Sequence, residues 1–197
     1  MQINKKNNNF GFTLLETIVA VSILVTAIIG PFSLASQSIN AQGRAKNNLI
    51  AANLTQEGLE LFRNYRANNI LKMLKNAGDS DTAPDYSVWL NGADACKSVS
   101  GCGIDLINYI QFPPNSEVID LPGCGALNSC MLYLNDNGVY SYNPNGGTPT
   151  KFHRKINIET VPPDDPLSPE IKVTATVSWG DSFGSDSFSV ITHLMNW

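Results

Sequence analysis

Two hydrophobic periodicities divide the chain. From Thr17 to Leu34, 18 consecutive residues lack a charged side chain, and the run FTLLETIVAVSILVTAIIGPFSLAS has Glu16 as its only charge. That length suits the roughly 20 residues an α-helix needs to cross a bilayer. Beyond Ser36 no turn cluster intervenes until Asn76-Ala77-Gly78-Asp79. In between, NLIAANLTQEGLELFRNYRANNILKMLK brings Ile50, Leu54, Leu61 and Tyr65 near one stripe, joined by Phe62 and Leu74. Such spacing predicts a helix with one covered face. Gly43 and Gly58 each cost up to about 1 kcal/mol in a helix interior, so bends are expected there. Gly78, beside Lys72 and Lys75, provides a stop.

The second half follows a different period. Asp79 to Pro122 is rich in Ser, Asn, Gly, Asp and Pro, with apolar islands at Tyr86–Leu90 and Ile104–Phe112, and reads as loops with short strands. Met131–Asn135, the Asp136-Asn137-Gly138 turn and Val139–Tyr142 read as a hairpin. After a second turn at Pro144–Gly147 come strands at Phe152–Val161 and Glu170–Trp179. In the latter, Ile171, Val173, Ala175, Val177 and Trp179 alternate with Lys172, Thr174, Thr176 and Ser178, the pattern of a sheet with one buried face. Gly180–Ser185 turns the chain into a last strand, Phe188–Leu194. Short connections between successive strands predict an antiparallel meander. The expected fold class is α+β: a long N-terminal helix packed on a C-terminal antiparallel sheet, a ladle in outline.

Charge narrows the functional classes. The 197 residues carry 13 basic and 17 acidic side chains, a net charge of −4. An acidic chain lacks the counterion-release drive of non-specific nucleic-acid binding, so nucleic acid is not an expected partner. There is no phosphate-binding loop, dinucleotide fingerprint or metalloprotease helix. His153 alternates with Lys155 and Asn157 toward solvent, and His193 lies beside Ile191, neither with a placed Ser or Asp partner. No enzymatic activity and no cofactor is expected.

The amino-terminal segment decides the compartment. Lys5 and Lys6 precede the apolar run, and the next basic residue is Arg44. The positive-inside bias then leaves the N-terminus in the cytoplasm and exports everything after about Ser36. A cleavable secretory signal could end at Ser33-Leu34-Ala35, but the run exceeds the roughly 7–15 residues of a signal core and Glu16 is a liability in it. A plain membrane anchor has the right length and explains neither Gly11 nor Glu16.

The hexapeptide Gly11-Phe12-Thr13-Leu14-Leu15-Glu16, followed by an apolar helix, resembles the processing motif of type IV pilins and pseudopilins. Glu57–Leu71, EGLELFRNYRANNIL, and the strands KVTATVSWG and SFSVITHL resemble, less specifically, V-type minor pilins and I-type pseudopilins. The resemblance implies cleavage between Gly11 and Phe12 by a membrane prepilin peptidase, which also N-methylates Phe12. Loss of the leader would take both lysines and move the net charge to −6. It also implies that Glu16 pairs with the Phe12 ammonium of a neighbouring subunit during filament assembly. The physics agrees: glycine lets a protease take the backbone extended, and a carboxylate in the first turns complements the helix dipole. A buried, unpaired carboxylate costs several kcal/mol, so a partner cation would select axial register. Asn7, Asn8, Asn9 and Phe10 stand where that family more often has basic or polar residues. Gly30 and Pro31 loosen the outer part of the span.

These readings divide the chain into a leader (1–11), a membrane or filament-core helix (12–36), its amphipathic continuation (37–78) and an exported loop and sheet region (79–197). Expected partners are the prepilin peptidase, other pilin or pseudopilin subunits and the cytoplasmic membrane. Localisation is single-pass in that membrane, then in a surface or periplasmic filament.

Four cysteines form two C-x5-C pairs, Cys96 with Cys102 and Cys124 with Cys130. In an oxidising compartment they are disulfide candidates; three connectivities are possible, and two local loops are slightly favoured. Zinc is the alternative, though C-x5-C is not a common zinc spacing and no metal site is expected. Asn135-Asp136-Asn137-Gly138 and Asp164-Asp165 carry oxygen ligands of a kind calcium uses, and equally suit turns.

Overall fold

The computed structural model describes residues 11, 13–77, 89–104, 121–125, 130–163, 169–181 and 184–195. One helix, α1 (Leu14–Ala77), precedes five strands: β1 (Met131–Asn135), β2 (Tyr140–Ser141), β3 (Gly147–Thr160), β4 (Glu170–Asp181) and β5 (Gly184–Met195). The chain divides into two compact units, Met1–Asn47 and Asn48–Trp197. In the first, α1 is exposed at every residue from Leu14 to Lys46.

In the second unit α1 covers a sheet. Ala51, Leu54, Thr55, Gly58, Leu59, Phe62, Tyr65 and Asn69 are buried, a spacing of three and four that keeps them on one helical face. Ala51 and Leu54 pack with Leu132, Phe152, Val177 and Trp179. One turn further on, Leu59, Phe62 and Tyr65 meet Ile156, Ile158, Ile171, Val173 and Ala175. Each large apolar side chain fully buried there contributes about 1.5–3 kcal/mol. The architecture is therefore α+β, a helix on an antiparallel sheet.

The expected stripe holds at Leu54, Leu61, Phe62 and Tyr65, while Ile50 is half-buried and Leu74 is 48% exposed. Leu74 follows Tyr65 by nine residues, about half a turn away at 3.6 residues per turn, and so leaves the buried face. α1 is unbroken at Gly43 and Gly58. Gly78 lies outside the described residues.

The sheet order is β2-β1-β3-β4-β5, all antiparallel. Only β3, β4 and β5 form the expected meander. β2 is two residues long and pairs with one edge of β1, and the turn after it carries β3 to the other edge, so that Tyr133 opposes both Ser141 and Pro149. The long strands extend beyond their apolar cores. β3 begins at Gly147, and the β4–β5 ladder runs to Asp181 opposite Gly184, shrinking the expected Gly180–Ser185 turn. These added residues are polar and mostly exposed. Ladder hydrogen bonds hold them, with Thr150 Oγ1 also donating to the Leu132 carbonyl (2.6 Å), and hydrophobic alternation registers neither.

The intervening segments are welded to β3. Trp89–Leu90, the end of an apolar island in the region read as loops with short strands, lies in a helical turn ahead of the 3-10 turn Asp94–Lys97. Trp89, Ala93, Cys96, Ile104 and Leu121 nevertheless join the core. Cys102 exchanges both backbone hydrogen bonds with Ile156, each 2.9 Å, so residues 101–103 flank β3 beyond the end of β1. Gly101 is required for this approach: its φ is +73°, and a Cβ would lie 2.8 Å from the Ile156 carbonyl oxygen.

Candidate membrane and assembly segment

Helix α1 starts just after the predicted cleavage position. Gly11 is exposed, non-helical and without a neighbour within 4 Å of where a Cβ would stand. Thr13 caps the helix: its Oγ1 accepts the Glu16 amide at 3.3 Å, and its carbonyl accepts the Glu16 and Thr17 amides. Thr13 and Glu16 thus have the T-x-x-E spacing of a capping box. That signal is legible in the sequence, within the same hexapeptide as Gly11 and Glu16. The carboxylate sits in the first turn, where the helix dipole favours negative charge.

Beyond the cap, the surface suits hydrocarbon. An 18-residue window of α1 reaches a mean hydropathy of 2.3 with none of it buried, long and apolar enough to cross a membrane. Leu14, Ile18, Val21, Leu24, Ile28, Phe32 and Leu34 are each more than half exposed. The hydroxyls are turned inward on the helix: Thr17 donates to the Leu14 carbonyl (2.8 Å), Ser22 to Val19 (2.8 Å) and Thr26 to Ile23 (2.9 Å). These three hydroxyls are satisfied by carbonyls of their own helix, which suits an apolar surrounding. Pro31 lies inside α1 and has no amide to donate.

The second unit holds a buried polar centre that the sequence reading missed. Arg154 of β3 is fully buried. Its Nε donates to the Tyr142 hydroxyl (3.2 Å), Nη1 to the Leu54 carbonyl (3.2 Å) and Nη2 to the Ile104 carbonyl (2.8 Å). Nη1 also pairs with Glu57 at 3.2 Å. The Tyr142 hydroxyl in turn donates to the Arg154 carbonyl (2.9 Å), and the Arg154 amide donates to the Cys130 carbonyl (3.0 Å). Burial alone would lower the guanidinium pKa; Tyr142 and Glu57 outweigh it and hold it above the ordinary arginine value. The signal available was parity, since Arg154 shares the buried alternation of Phe152, Ile156 and Ile158.

At the other end of the buried face, Tyr65 donates to the Asn91 carbonyl (2.6 Å), and Asn69 donates to the carbonyls of Trp89 and Asn91. Arg66 lies 5.3 Å from the Trp89 ring centre and donates to the Met195 carbonyl; burial lowers its pKa.

The cysteines pair locally, Cys96 with Cys102 and Cys124 with Cys130, so their thiolates are not zinc ligands. Among the described residues no group of three or more His, Cys, Asp or Glu is placed to hold a metal ion. Asn135 Oδ1 accepts the amides of Asn137 and Val139, at 3.0 and 2.9 Å, as a turn requires. His153 is half-buried. His193 stands on β5 with Nδ1 2.6 Å from Glu170 Oε1, a cross-strand pair at the sheet surface. Lys5, Lys6, Phe12 and Asp164-Asp165 lie outside the described residues. Gly11 and Glu16 belong to the first unit and all four cysteines to the second.

No family model, no curated protein and no solved structure matches this chain.

Proposed function

We propose that this chain is a non-enzymatic structural subunit, a minor pilin or pseudopilin, of a type IV pilus or a related type II secretion or competence filament. Prepilin peptidase cuts it between Gly11 and Phe12 and methylates the new Phe12 amine. The subunit then waits in the cytoplasmic membrane, N-terminus inward, until it is drawn into a filament whose core is built from such helices. The observation that carries the reading is the hexapeptide Gly11–Glu16 at the start of a helix with every residue to Lys46 exposed. A plain anchor has no use for a carboxylate at Glu16. In a filament, that carboxylate gains a partner in the methylated ammonium of a neighbour and rejects subunits out of register.

Chemistry at the motif is divided between chain and partner. This chain supplies an accessible glycine carbonyl ahead of the helix and the amine released at Phe12, and the peptidase supplies the reacting groups. The test is fractionation: filaments sheared from native cells should contain the chain together with other subunits. Its confinement to the membrane under conditions where the other subunits assemble would contradict the proposal.

A further inference from the structure

The two disulfides differ in their surroundings. Cys96 and Cys102 are both 0% exposed and belong to the main core. Cys102 is also locked to β3 by its paired hydrogen bonds with Ile156. Thiol–disulfide exchange needs a thiolate to reach one sulfur, and here none can enter without opening the core. Cys124 is half-buried and sits between two exposed glycines, Gly123 and Gly125, which place no side chain beside it.

Both ends of the second bond are also held by backbone contacts that do not depend on it. The Cys124 amide donates to Gly101 O (2.9 Å), the Gly103 amide to Pro122 O (2.8 Å) and the Leu121 amide to Gly92 O (2.8 Å). Leu121 is buried in the core. At the other end, Cys130 is 7% exposed and its carbonyl accepts the Arg154 amide. The two α-carbons are 5.3 Å apart. Once reduced, the pair stays close enough to close again as an intramolecular reaction of high effective concentration.

We propose that Cys124–Cys130 is a reversible thiol-exchange site, open to small or protein dithiols in the folded state, whereas Cys96–Cys102 is a permanent staple. In the exchange, the thiolate of an external dithiol attacks Cys124 Sγ, forming a mixed disulfide and expelling Cys130 as a thiolate. The second thiol of the reductant attacks the mixed disulfide and releases Cys124. Two electrons and two protons pass to the protein, and the reductant leaves as its cyclic disulfide. A disulfide oxidant of the same compartment reverses the exchange. None of this depends on whether the chain polymerises.

The test uses the full chain, oxidised and held in detergent micelles. It is incubated with increasing dithiothreitol, quenched with N-ethylmaleimide and mapped by peptide mass, with circular dichroism recorded in parallel. Cys124 and Cys130 should be alkylated at a reductant concentration at least about tenfold below that which opens Cys96–Cys102, with the spectrum unchanged. Removing reductant and adding oxidised glutathione before the quench should restore the bond. A Gly125→Val substitution, which places a branched side chain beside Cys124, should slow opening of that bond without affecting the other. Opening of both bonds together, opening of Cys96–Cys102 first, or opening of Cys124–Cys130 only in denaturant would overturn the proposal. So would loss of the folded spectrum on reduction of Cys124–Cys130 alone.

Discussion

Gly58 of α1 lies directly against Arg154 of β3: a Cβ at Gly58 would stand 3.1 Å from Arg154 Cδ. A glycine in mid-helix sacrifices up to about 1 kcal/mol of helix propensity, and here it makes room for the aliphatic stem of a buried cation. That cation then bonds to the Leu54 carbonyl one turn earlier and to the Ile104 carbonyl across the core. Helix, sheet and loop are thereby referred to one side chain.

Filling the space should therefore destabilise the second unit. Arg154 is held at four partners and cannot move aside, so Gly58→Val should cost about 1–3 kcal/mol, as overpacking usually does. Gly43, with nothing within 4 Å of its Cβ position, should accept Ala with no loss. Urea unfolding of both variants measures the contrast.

Removing the cation should cost more than removing its carboxylate partner. Arg154→Leu strands the Ile104 carbonyl in the core and removes the bonds to Tyr142 and Leu54, a loss of about 3 kcal/mol or more. Glu57 is 36% exposed at its side chain, so Glu57→Gln should cost less than about 1 kcal/mol. Because the Arg154 pKa is raised in the folded state, its contribution is fully present below the unfolded value and would be lost only above the folded one. The penalty of Arg154→Leu should consequently be equal at about pH 6 and pH 9 in urea unfolding, and a strong change between them would contradict a guanidinium that stays charged across that range.

How much of this was legible depended on which force sets each feature. Apolar periodicity was readable wherever burial decides the structure: β4 alternates as expected from Ile171 to Trp179, and Leu54, Phe62 and Tyr65 fall on the covered face. Where backbone hydrogen bonds decide, the pattern was silent. Ser185 and Asp186 pair with Gly180 and Trp179 although their side chains are exposed, and β3 bypasses β2 because a two-residue strand offers little to pair with. Arg154 was missed because charge usually marks an outward position; only its parity with Phe152 and Ile156 betrays it. At the amino terminus the motif and the T-x-x-E spacing of Thr13 and Glu16 are legible in the sequence, whereas the inward-turned hydroxyls of Thr17, Ser22 and Thr26 require helix geometry.

The sheet unit should fold without the apolar helix. A chain beginning near Gln37 and exported to an oxidising compartment should be soluble and monomeric, unfold in one cooperative transition and contain no titratable thiol. Replacing Cys96 and Cys102 together by Ala should lower its stability by about 2–5 kcal/mol. Aggregation of the correctly oxidised chain would mean that the buried helix face needs a filament neighbour in addition to its own sheet.

Glu16 should matter to assembly alone. Glu16→Val should leave cleavage, membrane insertion and the fold of the second unit intact while reducing recovery in the filament fraction. Glu16→Gln keeps the size and loses the charge, so it should behave like Val. Wild-type incorporation of both variants would remove the proposed pairing with the Phe12 ammonium.

The most direct measurement of the central claim is the intact mass of the full chain extracted from the membrane of cells containing prepilin peptidase. The account predicts a polypeptide that starts at Phe12 and carries one added methyl group. A mass corresponding to a start at Met1, or at Ser36 after signal cleavage, would contradict it.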